Sequence, residues 1–282
     1  MTQEDTQAPV NFWGEHPATE AEYYAAHGAE GESSYFSTPD DAGARRLFTR
    51  SWRPAGGGAG ARPRALVFMV HGYGNDISWT FQATAVFLAR SGFACFAADL
   101  PGHGRSHGLQ AFVPDLEVAV ADLLAFFRIS DRIRPRWPVP EILTLVSRFA
   151  PTLPIVPTAD LIEKSVKVPA KRLIAARNPM RYNGRPRLGT VMELLRATDE
   201  LGARLGEVTI PFLVVHGSAD EGTDPAVSGA LYEAAASEDK TIKMYDGMLH
   251  SMLFGEPEEN IERVRGDILA WLSERCTPAA TS

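Results

Sequence analysis

The 282 residues are 45% hydrophobic, 9% aromatic and 22% charged, the balance of an ordinary globular chain, which excludes disordered, collagenous and disulfide-scaffold proteins. Twenty-eight basic residues against 35 acidic ones give a net charge of −7, which speaks against a nucleic-acid binder. Cys95 and Cys276 are too far apart in sequence to imply a disulfide framework, no run reaches the ~18 apolar residues of a bilayer span, and the polar, acidic N-terminus lacks a signal-peptide pattern, so a cytoplasmic protein is expected.

Arg45 to Trp52 alternates as a strand. Ala65-Leu-Val-Phe-Met-Val70 is a continuous apolar run ending at His71-Gly72, the pattern of a strand buried on both faces. Asp76 is placed to cap a helix carrying Trp79, Phe81, Ala85, Phe87 and Leu88. Phe93 to Ala98 reads as a second buried strand, stopping at the breakers of Asp99-Leu-Pro-Gly-His-Gly. Pro114 suits the first turn of a helix with Leu116, Val120, Leu123, Leu124 and Phe127 on one face. From Phe127 to Arg187 the chain changes character: 13 basic and 4 acidic residues make a net +9 among nine prolines, leaving −16 for the rest. Alternation resumes with a strand over 211–215, a helix over 225–236, a strand over 241–245 and a final helix striped by Ile261, Val264, Ile268, Leu269 and Leu272. Strand–helix alternation of this kind predicts an α/β fold, a mainly parallel sheet with helices on both faces, whose function lies in loops after the strands' carboxyl ends.

Two such loops carry Asp220 and His250, each a few residues past its strand. A carboxylate beside an imidazole fixes the ring's tautomer and stabilises its protonated form, as a general base requires. The glycine-rich turn His71-Gly72-Tyr73-Gly74 is suited to aim backbone N–H groups at a developing oxyanion. His103 and His107 have the spacing of a metal pair, but glycines interrupt them and no third ligand is evident. No metal and no cofactor are expected.

The phrase His71 to Thr80, the loop Asp99 to Ser106, the stretch His216-Gly-Ser-Ala-Asp220 with Thr223-Asp-Pro225, and Lys243 to Ser251 together resemble the plant monoacylglycerol lipase-like α/β-hydrolases of the serine aminopeptidase S33 type. That group includes the caffeoylshikimate esterases. The resemblance implies a serine ester hydrolase acting on lipid or hydroxycinnamoyl esters. It implies Asp220 and His250 as the acid and base of a triad, and Tyr73 with Gly72 at the oxyanion site. It also implies one hydrolase domain over 1–282, with a body over 1–128 and 196–282 and an inserted helical cap over 129–195.

The third triad member is missing from the sequence. In this fold a serine in G-x-S-x-G sits on a strand-to-helix turn upstream of the acid. Between Gly108 and Gly217 the serines are Ser130, Ser147 and Ser165, none with a glycine two residues away. The literal match Gly104-Arg-Ser106-His-Gly108 lies in a loop past its strand, with no helix beginning at Ser106. The resemblance implies that the absent unit is a strand, a helix and a strand from the centre of the sheet, roughly forty residues long by the size of such units, and places the gap between Arg128 and Ile129. The expected outcome is a narrower sheet, with strand 211–215 moved into the opening, or a marginally folded chain. The chain is therefore expected to be inactive as an esterase; the alternatives are a ligand-binding pseudoenzyme or an incomplete product of exon skipping or a faulty gene model. The expected partner is a small amphiphilic ester. The cap helix over Pro140–Phe149 and the basic surface around it suit peripheral membrane contact, or a solvated basic face over an apolar core.

Overall fold

Thr19 opens the first helix by a reciprocal cap: its hydroxyl accepts from the Glu22 N–H at 3.2 Å, and the Glu22 carboxylate accepts from the Thr19 N–H at 2.9 Å. The computed structural model describes residues 11–14, 16–38, 45–56, 62–130, 152 and 161–276. That first helix, α1 (Glu20–Ala26), leads into β1 (Ala29–Ser37), which runs antiparallel to β2 (Arg46–Pro54) from Ala29↔Pro54 to Ser37↔Arg46. Then come β3 (Leu66–Met69), α2 (Phe81–Arg90) and β4 (Ala94–Ala98). β4 lies between β2, antiparallel to it, and β3, parallel to it, in the order β1-β2-β4-β3. Its core is Trp52, Phe93, Cys95 and Ala97 packed against Ala85, Val86 and Ala89 of α2. Burial raises the Cys95 thiol to about 12, so it is an inert apolar filler.

Next in the chain are α3 (Leu116–Ser130), α4 (Leu161–Ser165), α5 (Pro169–Ala176) and α6 (Leu188–Ala203). β5 (Phe212–Gly217), α7 (Pro225–Ala234), β6 (Lys240–Tyr245) and α8 (Glu258–Arg275) complete it. β5 and β6 are parallel, from Phe212↔Lys240 to Gly217↔Tyr245, and form a separate two-stranded sheet. Parallel pairing thus holds for β3/β4 and β5/β6, while β1 and β2 make the larger sheet mixed.

The expected shift of strand 211–215 into the opening does not occur. Among the described residues β3 pairs only with β4 and β5 only with β6. β5 is paired along its length with β6, and α8 holds β6 in turn: Asp267 receives Lys243 Nζ at 2.6 Å and the Tyr245 hydroxyl at 2.8 Å. Closing on β3 would drag β6 and α8 along. Burial on both faces is not reached either. Leu66 is 37% exposed, the rest of β3 and the first four residues of β5 are half-buried, and Val70 just beyond β3 is 53% exposed.

Other expectations fail for similar reasons. Pro114 falls outside α3, which Asp115 caps through the Glu117 and Val118 N–H groups at 2.9 and 3.0 Å. Val120, expected on the buried face, is 47% exposed, whereas Leu123 packs on Leu47 and Ala98. Asp76 does not cap α2, whose N-cap is Thr80. α6 docks through polar groups, Thr190 accepting from Val113 N at 2.9 Å and Glu193 from Leu116 N at 2.9 Å. The cap helix expected over Pro140–Phe149 lies outside the described residues. No helix among the described residues is long and apolar enough to cross a membrane.

α8 connects the two sheets. Its Leu269 and Leu272 pack on the core of the first, its Val264 and Ile268 on the Tyr245–Met248–Met252 cluster of the second.

Candidate active site

β5 and β6 end side by side, so the loops after them meet. Gly217 makes this possible: beyond it Ser218 N bonds to Tyr245 O at 2.9 Å and Ala219 N to Met248 O at 3.0 Å, zipping one loop to the other. The structure thereby brings Asp220 and His250 together, Nδ1 of the ring donating to Oδ2 at 2.7 Å. Thr223 Oγ1 donates to the same oxygen at 2.8 Å, and the Gly222 and Thr223 N–H groups donate to Oδ1 at 2.7 and 3.0 Å. Burial alone would raise this carboxyl; the bonds from His250, Thr223 and Gly222 outweigh it and hold Asp220 at about 2. It is therefore an ionised acceptor at neutral pH. The His250 side chain is 49% exposed against 3% for Asp220, so the ring faces open space with its tautomer fixed from behind.

Sequence reasoning missed two residues of this arrangement. His216 contacts Asp220 through Nε2 at 3.1 Å and the Ser228 hydroxyl through Nδ1 at 2.7 Å. Its place at a strand end was the only signal. Glu256, fully buried, accepts from Leu249 N at 2.7 Å and Asn260 Nδ2 at 3.0 Å and so braces the loop carrying His250. Nothing in the sequence marks it.

The turn with Gly72 and Tyr73 stands on a buried polar platform. His71 Nε2 accepts from Leu100 N at 2.9 Å, which leaves the proton on Nδ1 to donate to Gly72 O at 2.8 Å. Asp99 accepts from Ile77 N at 2.8 Å and Arg105 N at 2.9 Å. Gly74 sits at φ +75°, where a side chain would be strained. Asp76 is spent on Ser78 and on Asn178 Nδ2, at 2.6 Å to the latter, so it links this turn to the segment after α5. The Tyr73 hydroxyl donates to Ala111 O at 3.1 Å.

Burial lowers His71 to about 4 and raises Asp99 to about 6. The raised acid contributes stability that is present at low pH and lost as pH rises through about 6; the lowered base contributes stability lost as pH falls from 6.5 towards 4. Each shift corresponds to about 3 kcal/mol, so over that window the two offset. Asp99→Asn removes one of them. The variant's melting temperature is expected to fall more steeply than that of the unsubstituted chain between pH 6.5 and 4; parallel curves would refute this.

A cleft of about 830 Å³ opens at His250. Its wall includes Tyr73, Trp79, Tyr182 and Phe254, with Arg181 and Arg185 from the segment after α5. Ser165 and Ser251 also line it, joined by a bond from Ser251 N to Ser165 O at 2.9 Å. Ser106, in the literal motif match, is used in its own loop, donating to Asp99 O at 2.6 Å and accepting from Phe48 N at 2.8 Å. No group of three metal-ligating side chains gathers among the described residues, at His103 or elsewhere.

Comparison with known proteins adds a lineage. The family described as serine aminopeptidase, S33 matches over residues 61–140 and again over 126–258. Caffeoylshikimate esterase of Arabidopsis thaliana is 38% identical, covering 94% of this chain and 91% of its own. Monoglyceride lipase of Homo sapiens is 30% identical, covering 84% of this chain and 89% of its own. A solved soluble variant of the Saccharomyces cerevisiae monoglyceride lipase shares the fold, with a TM-score of 0.70 at 17% identity over 88% of this chain and 96% of that one. The Arabidopsis alignment runs over 313 positions against 282 residues in this chain, so at least 31 of its positions have no counterpart here.

Proposed function

The chain belongs to the serine aminopeptidase S33 family of α/β-hydrolases, and from that premise we propose that it binds an ester beside His250 without hydrolysing it. One observation carries this reading: the acid and base stand at 2.7 Å, yet no serine hydroxyl among the described residues bonds to the His250 ring. In the reading, Asp220 holds the imidazole so that Nε2 faces the cleft as a base, and the Tyr73 N–H stands as one oxyanion donor. Without the hydroxyl there is no acyl-enzyme, and the base has no proton to take. The aromatic wall of Trp79, Tyr182 and Phe254 suits the apolar part of a lipid or hydroxycinnamoyl ester. The matches over 61–140 and 126–258 share residues 126–140, which supports an interruption of the family pattern close to Arg128. Residues 129–195 are the inserted cap in this reading, with α4 and α5 over the cleft.

The test uses a fluorophosphonate probe on the purified chain. No stoichiometric label is expected. A one-to-one adduct on any serine, above all Ser165 or Ser251 in the cleft, would overturn the reading. Binding is followed by Trp79 fluorescence during titration with a monoacylglycerol or a hydroxycinnamoyl ester. A saturable change is expected, and a flat response would remove the ligand-binding half.

A further inference from the structure

We propose that a second cavity, which shares Phe254 as a wall with the cleft at His250, binds a small aromatic carboxylate. This goes beyond the proposed function and does not rest on it.

The cavity measures about 360 Å³ and lies between Phe12–Trp13, α1, α2, α5 and the first half of α8. Asp220, His250 and Tyr73 do not line it, and Phe254 borders both spaces. Its volume stands at the small end of ligand sites, which run from roughly 300 to 1,000 Å³, so the occupant has one or two rings rather than a long chain.

Five aromatic side chains form the wall: Phe12, Trp13, Tyr23, Phe87 and Phe254. They are held in place before any ligand arrives. Trp13 stacks on Tyr23 with centroids 4.6 Å apart and planes at 14°, and Phe12 meets Trp13 edge-on at 4.8 Å. Trp13 Nε1 donates to Pro17 O at 2.6 Å, which fixes the indole. The His27 ring lies 4.3 Å from that of Tyr23, and its Nδ1 donates to Tyr23 O at 2.7 Å. Phe12, Tyr23 and Phe87 are each less than a tenth exposed, so these rings are withdrawn from solvent yet border open volume. A flat apolar guest fills such a space without the ordering cost that a mobile wall would impose.

The charges on the wall do not cancel. Glu258 is taken by Lys171 Nζ at 3.0 Å and Glu262 by Arg265 Nη1 at 2.8 Å. Arg90, whose guanidinium lies over the Phe87 ring at 5.4 Å, pairs with no carboxylate among the described residues. Arg265 Nε is buried and bonds to nothing. Tyr23 is 7% exposed, and its hydroxyl bonds to no described residue. Burial raises that phenol against the pull of Arg265 and Arg90, so it keeps its proton as a donor. One uncompensated positive charge and one hydroxyl donor thus stand at the same cavity without an acceptor. A carboxylate supplies a single negative charge and two acceptor oxygens, which matches that deficit. A doubly charged phosphate would exceed it, and a neutral ring would leave it unmet.

The experiment is a calorimetric titration of the purified chain with 2-naphthoate, with 2-naphthamide and octanoate as comparisons. One-to-one binding of 2-naphthoate is expected, with both comparison compounds weaker by roughly tenfold or more. Tyr23→Phe and Arg90→Gln should each weaken 2-naphthoate by a similar factor; the first keeps the ring and the second changes an exposed residue, and melting curves check that both variants fold. Arg181→Gln with Arg185→Gln, in the cleft, should leave the affinity unchanged. No binding of 2-naphthoate overturns the proposal. Equal affinity for the amide or for octanoate overturns it too, since charge or rings then select nothing. Affinity that survives in Tyr23→Phe and Arg90→Gln but is lost in the cleft variant would put the carboxylate in the cleft and overturn the second site.

Discussion

Inserting the stretch of the Arabidopsis caffeoylshikimate esterase that has no counterpart in this chain between Arg128 and Ile129 is expected to raise its rate of ester hydrolysis steeply. On the proposed reading the graft adds a nucleophile and leaves the rest of the site in place. The Asp220–His250 bond at 2.7 Å, the carboxyl held at about 2, and the braced turn at Tyr73 are present without it. Removing the serine of such a triad costs on the order of 10⁶ in turnover, so supplying one should recover a comparable factor, read as hydrolysis of a chromogenic ester. Asp220→Asn in the grafted chain should then lower the rate by about 10⁴, because the imidazole loses its tautomer control. A grafted chain that melts cooperatively but hydrolyses nothing would defeat the idea that body and dyad are otherwise competent.

Gly217→Ala is expected to be the most damaging single substitution near the site. The added methyl would press on the Met248 carbonyl oxygen and stand 2.8 Å from the Leu249 oxygen. Both are backbone atoms with no rotamer to change. The same Met248 oxygen accepts from Ala219 N, so relief of the clash must open the zipper that sets Asp220 beside His250. Overpacking of this kind costs about 2–3 kcal/mol. A thermal melt should show the loss, and proton NMR should lose the His250 Nδ1 proton hydrogen-bonded to Asp220. A variant with an unchanged melting point and that proton intact would contradict this account.

The dyad was legible because its chemistry is written in short stretches: Asp220 and His250 each follow an apolar strand by a few residues, and parallel strands put such loops on one rim. The strands were legible for the same reason. α1 and β1 were not. α1 has only seven residues, and β1 (Ala-Glu-Gly-Glu-Ser-Ser-Tyr-Phe-Ser) is exposed over most of its length, so neither a helical stripe nor a period of two exists to be read. Asp76 misled because its carboxylate is taken up short of α2, one oxygen by Ser78 two residues on and the other by Asn178, 102 residues away. Val120 misled because periodicity reports which face a helix offers, not whether a neighbour is there to cover it. Glu256 left no trace, since a carboxylate buried for its hydrogen bonds looks like any other in sequence.

α8 gives the order of synthesis a consequence. Each sheet is built from its own stretch of chain, residues 29–98 and 212–245, so each has its strands as soon as that stretch leaves the ribosome. The side chains that fasten one to the other, Val264, Ile268, Leu269 and Leu272, emerge last. The nascent chain therefore lacks this apolar fastening until translation is nearly complete, and a stop codon shortly after Pro257 would release both strand sets intact, joined through the hydrogen bonds of the α4–α5 segment to each, such as Trp79 Nε1 to Ile174 O and Ser251 N to Ser165 O.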